Sequence, residues 1–350
     1  MTRIVFDCER MKYANTGLYH YCLNLGRSLQ RSLFREQLFF FGPEPVGSAF
    51  GCSNPLIRQH SLQKFLMPSL NQFQIWHSTY QSSDYLPLLN RRLKVLLTIH
   101  DLNFLHEGKS ASKIERCLKQ IQRNIDRSDA IVCISEFSKN EVLTNCNIRD
   151  KPIYMIYNGT NDLAEPSLAP RSYRPRTPFL FNVGVITRKK NQHRILPLLQ
   201  TNPALELVLA GRHDDKDYAH FLRQHASELN VEDRVHLVHE ITDEEKSWYY
   251  HNCQAVVMPS LAEGFGLPVT EAMSIGKPVF LSKSTALPEI GKDLAFYFDD
   301  FDNLHNDFMA GMQHYTRAGS QMQEAMIAHS ATFNWTDAAR KYIEVYRSMT

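Results

Sequence analysis

The sequence predicts an α/β protein made of two doubly wound parallel sheets, and three observations predict it. Short apolar runs alternate with amphipathic helical patterns, the order expected of parallel strands covered by helices on both faces. The alternation stops once, across a proline-rich stretch, and then begins again. The chain has 350 residues, and a compact domain commonly takes ~100–200, so length also points to two units. With 43% apolar and 22% charged residues, each unit has a core to bury, and whole-chain disorder is excluded.

The elements follow in order. Residues 3–7, Arg-Ile-Val-Phe-Asp, open as a strand, and a helix after Gly17 places Leu18, Tyr21, Cys22, Leu25 and Leu29 on one face. Strands are expected at 37–41, 74–77, 94–99, 130–134 and 153–156, with helices over 112–127 and 137–144. Residues 164–178 hold four prolines and no periodicity, which marks an exposed linker. Strands resume at 179–183, 205–210, 235–238, 255–258 and 278–281. Thr242-Asp243-Glu244-Glu245 is a capping box that starts a helix running to His251. A last helix, 336–349, carries Ala339, Tyr342, Ile343 and Tyr346 on one face. The expected division is therefore a first domain over 1–165, a linker over 166–178, a second domain over 179–332, and a terminal segment, 333–350, that packs back toward the first domain. In open parallel sheets ligands bind beyond the carboxyl ends of the strands, and two such sheets can present those ends to one cleft.

The net charge of +2 does not single out nucleic acid, and no basic stripe with interleaved aromatics appears. Residues 1–170 carry 20 Lys+Arg against 15 Asp+Glu, a net of +5, and residues 171–350 carry 19 against 22, a net of −3. The first half is the better match for an anionic surface or acceptor, and permits peripheral membrane contact. Seven cysteines without a C-x-x-C pair, several inside apolar runs, read as reduced buried thiols, so a cytoplasmic location is expected. No signal peptide opens the chain, and no apolar run approaches the ~18 residues of a membrane span.

The richest segment is Pro259-Ser260-Leu261-Ala262-Glu263-Gly264-Phe265-Gly266-Leu267-Pro268-Val269-Thr270-Glu271-Ala272-Met273. Its glycines let backbone approach a ligand, and Pro268 suits a first helical turn. That helix would aim its free N–H groups and positive end at the loop, a site for phosphate. Glu263 in the loop and Glu271 in the first helical turn are carboxylates able to accept from vicinal hydroxyls of a sugar or ribose. The bland alternative is that Glu271 complements the helix dipole and Glu263 is solvated. Earlier in the chain, Asn15-Thr16-Gly17 precedes the first helix, where backbone can meet phosphate or acceptor. His77 and His100-Asp101 end strands. His236 and His239 fall on opposite faces of a strand and are rejected as a metal pair. No metal is expected, and no Asp-x-Asp motif is present.

Glu263 and Glu271 with the wording between them resemble the E-x7-E signature of glycosyltransferase family 4. The resemblance runs over most of the chain. Val183-Gly184 before Arg188-Lys189-Lys190-Asn191 is similar to the family's strand and basic loop, and Leu209-Ala210-Gly211 to its next strand end. Val238 to Glu245 is similar to the segment that wraps the nucleotide base, which brings in Ile241. Trp76-His77-Ser78, Ile99-His100-Asp101-Leu102, Ile134-Ser135-Glu136-Phe137-Ser138, Asn158-Gly159, Leu287-Pro288-Glu289-Ile290-Gly291 and Phe333-Asn334-Trp335-Thr336 also fit.

The resemblance implies a GT-B fold of two Rossmann-like domains, with donor held by the second and acceptor by the first. It implies that Glu271 holds the ribose and Glu263 the donor-sugar hydroxyls. The backbone of Gly264, Phe265, Gly266 and Leu267 would meet sugar and phosphate. Lys190, with Arg188 or Lys189, would clamp the diphosphate, while Gly184 and Gly211 open the strand ends. It places His100 near the reacting carbon, Asp101 and His77 beside the acceptor or phosphate loop, and makes Glu263, His100 and Lys190 the catalytic set. Many relatives carry Arg directly after the first glycine, where this chain has Val185, and the second cation stays open between Arg188 and Lys189.

The implied chemistry is retaining and metal-independent, with the departing phosphate acting as base toward the acceptor and domain closure completing the site. No cofactor is expected beyond a nucleotide-sugar co-substrate, GDP-mannose first and a UDP-sugar second. The acceptor would be a glycan or lipid-linked glycan in polysaccharide synthesis, at the inner membrane face. Competing readings are a same-fold nucleotide-sugar epimerase, a phosphorylase, and a non-catalytic nucleotide- or carbohydrate-binding module.

Overall fold

The computed structural model describes all residues except 1, 15, 34–36, 52–54, 167 and 300. The chain divides into two compact units, Met1–Gly159 with Phe333–Thr350, and Thr160–Thr332.

The first unit holds seven parallel strands: β1 (Arg3–Asp7), β2 (Gln37–Gly42), β3 (Leu56–Arg58), β4 (Ile75–Ser78), β5 (Lys94–Ile99), β6 (Ala130–Cys133) and β7 (Ile153–Met155). Their order is β3-β2-β1-β4-β5-β6-β7. The second unit holds six: β8 (Phe179–Val183), β9 (Glu206–Ala210), β10 (Val235–Val238), β11 (Ala255–Met258), β12 (Val279–Ser282) and β13 (Phe296–Phe298), ordered β10-β9-β8-β11-β12-β13. Both sheets are doubly wound, and the strand order reverses beside β1 in one and β8 in the other. A crevice therefore opens at the carboxyl ends of β1 and β4, and another at those of β8 and β11. Strands β4, β6, β9, β11 and β12 are buried along their whole length, as their Val/Ile/Leu-rich runs require when helices cover both faces.

Strands β3 and β13 escape a reading by periodicity. Each is three residues long and lies at a sheet edge, too short for an apolar pattern to show.

The terminal helix Trp335–Ser348 lies in the first unit. Its Tyr342 hydroxyl is 2.8 Å from that of Tyr21 and 3.2 Å from the Thr98 hydroxyl. A Cβ on Gly159 would stand 2.4 Å from Trp335, so only glycine lets the indole seat there.

The proline-rich stretch is not a free tether. Glu245, the third helical residue of the capping box, accepts from the Arg171 and Ser172 backbone N–H at 2.9 and 3.2 Å. Tyr173 donates to Glu206 at 2.5 Å and stacks on His236 with ring centroids 3.8 Å apart. The stretch is a strap bound to the second unit, held by side chains far along the chain that no local pattern names. His236 is thereby a packing residue.

The six described cysteines are unbridged; Cys52 lies outside the described residues. Among the described residues no helix is long and apolar enough to cross a membrane.

Candidate functional site

In the second unit, three loops converge at the carboxyl ends of β8, β9 and β11. Gly184 has φ +147° and Gly211 φ +149°, and a Cβ on Gly211 would lie 2.0 Å from the Gly184 carbonyl oxygen. Two glycines are what allow the loops after β8 and β9 to touch. Lys190 runs its stem across Gly184, where a Cβ would stand 3.2 Å from Lys190 Cε.

The basic loop is fastened to the loop after β11. The Lys189 carbonyl accepts from Leu261 N–H at 2.8 Å, and Asn191, left-handed at φ +56°, donates its side-chain amide to the Pro259 carbonyl at 3.0 Å. Lys190 Nζ then reaches Glu263 Oε1 at 2.6 Å. Glu263 is 9% exposed, and the Thr285 hydroxyl meets its backbone N–H at 2.8 Å and its carbonyl at 3.0 Å. Burial pushes the Glu263 carboxyl up, but the Lys190 ammonium, aided by Lys189, outweighs that and holds it below the usual carboxylate range. The carboxylate is ionised at neutral pH, beside cations that make an anion welcome.

Arg188 is turned to other work. Its guanidinium lies over the Tyr218 and Phe221 rings at 5.7 and 5.4 Å. The Lys189 ammonium acts on the Glu263 carboxyl alongside Lys190, whereas the Arg188 guanidinium is engaged with the two rings.

Gly266, at φ +105°, caps the helix Leu267–Ser274. Pro268 stands in its first turn, but Glu271 is the fifth residue, in the second turn rather than the first as the sequence suggested. Dipole complementation fades beyond the first turn, so the bland reading of Glu271 fails on geometry. Its carboxylate is 3% exposed and receives Asn161 Nδ2 at 2.6 Å, the Tyr250 hydroxyl at 2.7 Å and Lys246 Nζ at 3.3 Å. Burial lowers the Lys246 ammonium, yet Glu271 and Asp243 more than offset it and leave it raised. Burial and Glu271 together push the Tyr250 phenol well up, so it stays a donor.

Asn161, Lys246, Tyr250 and Thr285 were missed by sequence reasoning. Lys246 and Tyr250 did carry a signal, lying four apart on one face of the helix Asp243–Asn252 behind the capping box. Thr242 and Glu245 form that box, each bond 3.1 Å. Ile241 is half-buried in the loop before it.

In the first unit, the predicted residues separate. His77 is fully buried, with Nδ1 2.7 Å from the Tyr346 hydroxyl and Nε2 2.8 Å from the Thr98 hydroxyl. Burial, with His100 nearby, lowers its pKa to about 3. Both ring nitrogens are engaged inside the core, so its assignment to an acceptor or phosphate loop is corrected: His77 ties strand β4 to the terminal helix.

His100 is different. Nε2 lies 2.8 Å from the Thr79 carbonyl, which can only accept, so the proton sits on Nε2 and Nδ1 is the acceptor. Burial lowers its pKa, keeping it neutral. Its ring stands edge-on to Tyr21 at 4.6 Å, and the Ser138 hydroxyl donates to its carbonyl at 2.8 Å. Asp101 accepts from Asn103 N–H at 3.1 Å, closing the turn after β5. Thr16 caps the helix Gly17–Ser32 by accepting from Tyr19 N–H at 3.2 Å. A Cβ on Gly17 would meet nothing within 4 Å, so the start of that helix is open. Asn15 lies outside the described residues.

Twin doubly wound sheets, the second with a glycine-lined strand end that bears a paired lysine and glutamate, give the class of protein: a two-sheet α/β enzyme fold suited to a ligand that carries phosphate and hydroxyls. Residues 20–162 match the model for Glycosyltransferase Family 4 and residues 170–305 that for Glycosyl transferases group 1. The chain is a glycosyltransferase of the GT-B fold, with a family 4 domain followed by a group 1 domain. It is similar to O-antigen chain mannosyltransferase B of Escherichia coli, 24% identical over 99% of both chains. It is also similar to the O-antigen chain mannosyltransferase RfbU of Salmonella typhimurium, 26% identical over 62% of this chain and 59% of that one. Among solved structures, sucrose-phosphate synthase from Thermosynechococcus elongatus superposes with TM-score 0.80 at 19% identity, covering 100% of this chain and 99% of the other. Anabaena Alr3699/HepE in complex with UDP-glucose does so with TM-score 0.78 at 16% identity, covering 99% and 100%.

Proposed function

We propose that this glycosyltransferase is a retaining, metal-independent mannosyltransferase that moves mannose from GDP-mannose to a growing glycan, free or lipid-linked, in polysaccharide assembly. The observation that carries the reading is the buried Lys190–Glu263 pair, 2.6 Å apart at the mouth of a glycine-lined strand end. A buried carboxylate next to cations suits a reaction in which positive charge grows on a sugar ring while negative charge grows on a departing diphosphate. Lys190 and Lys189, with the backbone N–H groups from Gly264 to Leu267, neutralise the diphosphate, and Glu263 accepts sugar hydroxyls and steadies the oxocarbenium-like carbon. Glu271, oriented by Asn161, Tyr250 and Lys246, accepts the ribose hydroxyls. His100, neutral with Nδ1 as acceptor, takes a sugar or acceptor hydroxyl. Mannose is supported by the names of the two O-antigen relatives, and retention by the family resemblance.

The test is transfer from GDP-mannose against UDP- and ADP-sugars, with and without EDTA, reading the anomer formed by NMR. Turnover with GDP-mannose that survives EDTA and keeps the α-anomer supports the proposal. Transfer only from another nucleotide sugar, loss in EDTA or inversion each removes the corresponding part of it. Melting-point shifts with GDP, UDP, ADP and dTDP name the base by linkage, and loss of the shift in Glu271→Ala places it.

A further inference from the structure

Residues 45–100 hold five Lys and Arg, at positions 58, 64, 91, 92 and 94, against one acid, Asp84. Arg58, Lys64 and Lys94 are ion-paired with Glu44, Asp84 and Asp129, so the unbalanced charge of the run rests on Arg91 and Arg92. The run also carries the most exposed large apolar side chains of the described chain: Phe65 at 85%, Leu89 at 84%, Leu66 at 74% and Leu62 at 66%. The fold brings the two properties together. The turn Ser61–Lys64 and the loop before β5 wall a groove of about 630 Å³ whose rim carries Lys64, Arg91 and Arg92. Phe65 lines one wall and Leu88 and Leu89 the other, and Leu62 and Leu66, on either side of Phe65 in the chain, are exposed beside it.

We infer that this face docks onto an anionic lipid bilayer, the apolar side chains entering the interface and the cations meeting lipid phosphates. Charge decides the occupant. Arg91 and Arg92 are exposed and, among the described residues, have no acidic side chain at ion-pair distance. A second copy of the chain on this face would bring the same cations together across a two-fold axis, which is unfavourable. A negatively charged surface with an apolar interior answers both properties at once, since apolar side chains insert below the headgroups while basic ones stay at phosphate level. The inference is independent of the sugar and of transfer itself.

The experiment is co-sedimentation of the full chain with vesicles of phosphatidylcholine alone or mixed with phosphatidylglycerol, in low and high salt. Variants are Leu62→Ser/Phe65→Ser/Leu66→Ser and Arg91→Glu/Arg92→Glu, with melting curves to show that each folds. Expected is binding to the anionic vesicles that falls at least about tenfold in each variant and weakens in salt, because each cation and each inserted side chain contributes separately. Equal binding to neutral vesicles, no binding, or binding that both variants retain overturns the inference. So does light scattering that shows a dimer dissociated by the triple serine variant, which would make the face a contact between copies. A glycosyltransferase without vesicle binding refutes this docking alone, and vesicle binding without transfer refutes the functional reading alone.

Discussion

The two crevices are built on the same strand order and hold different electrostatics. At the carboxyl ends of β8 and β11, buried carboxylates are paired with lysines: Glu263 with Lys190, Glu271 with Lys246. At the ends of β1, β4 and β5, one ion pair, Lys12 with Glu9 at 2.6 Å, stands beside three buried groups that are neutral. His77 and His100 are held below the ordinary histidine pKa by burial, and Asp7 is raised to about 8 by burial with Glu9 adding to it. A buried charge needs a partner, whereas a buried neutral group needs only hydrogen bonds. The first arrangement suits an anionic leaving group, and the second suits neutral hydroxyls.

The largest effect that would sharpen this comparison is on the paired side. Glu263→Ala should lower kcat with GDP-mannose by about 10²–10³-fold, with Glu263→Gln falling between it and the parent. Full turnover in Glu263→Ala would remove the carboxylate from the mechanism. On the neutral side the two histidines should part company. His100→Ala should cost about 10²-fold in kcat, a defect that the folded fraction keeps whatever stability is lost with the Thr79 bond. His77→Ala should cost about 2–4 kcal/mol in urea unfolding and leave kcat of the folded fraction nearly intact. A His77→Ala protein that is stable but inactive would break the assignment of that ring to the core.

The third prediction concerns pH. Asp7 has a folded pKa, about 8, above its ordinary 3.8. Its neutral form favours folding fully below pH 3.8, and that contribution drains away as pH rises to 8, because only the unfolded chain releases the proton. His77 runs the other way: its folded pKa of about 3 lies below 6.5, so its contribution is present above pH 6.5 and is lost as pH falls toward 3. Asp7→Asn, neutral at every pH, should therefore gain melting temperature relative to the parent as pH goes from 4 to 8. A constant difference across that range would refute a neutral Asp7. The smallest effect is expected away from both crevices: Thr242→Ala should cost about 1 kcal/mol through the lost cap, without changing nucleotide affinity.

Much of the site was legible because its chemistry is local in the chain. Glu263, Gly266, Pro268 and Glu271 lie within one strand-loop-helix unit, and the glycine, proline and carboxylate each announce a backbone or charge requirement. The three adjacent cations were legible as a group, but their separate surroundings were not: Arg188 lies over Tyr218 and Phe221, while Lys190 reaches Glu263. Asn161, Lys246 and Tyr250 reach Glu271 across 110, 25 and 21 positions. The shared helix face of Lys246 and Tyr250 was visible in the chain, but that it meets Glu271 was not, since separations of that length carry no periodic signal.

By itself the sequence determined the period of each long strand and helix, the capping box at Thr242 and the glycine-bearing loop that starts the helix at Leu267. All of these are set by neighbours within a few residues, where sterics and backbone hydrogen bonding act. Tertiary structure alone decided which polar groups are free to meet a ligand. His77 and His100 both end strands and look alike in the chain, yet Tyr346 and Thr98 close over one, while a backbone carbonyl holds the other by one nitrogen. Burial and pairing are properties of what the rest of the fold brings alongside, and that is where the two crevices acquire their different charge.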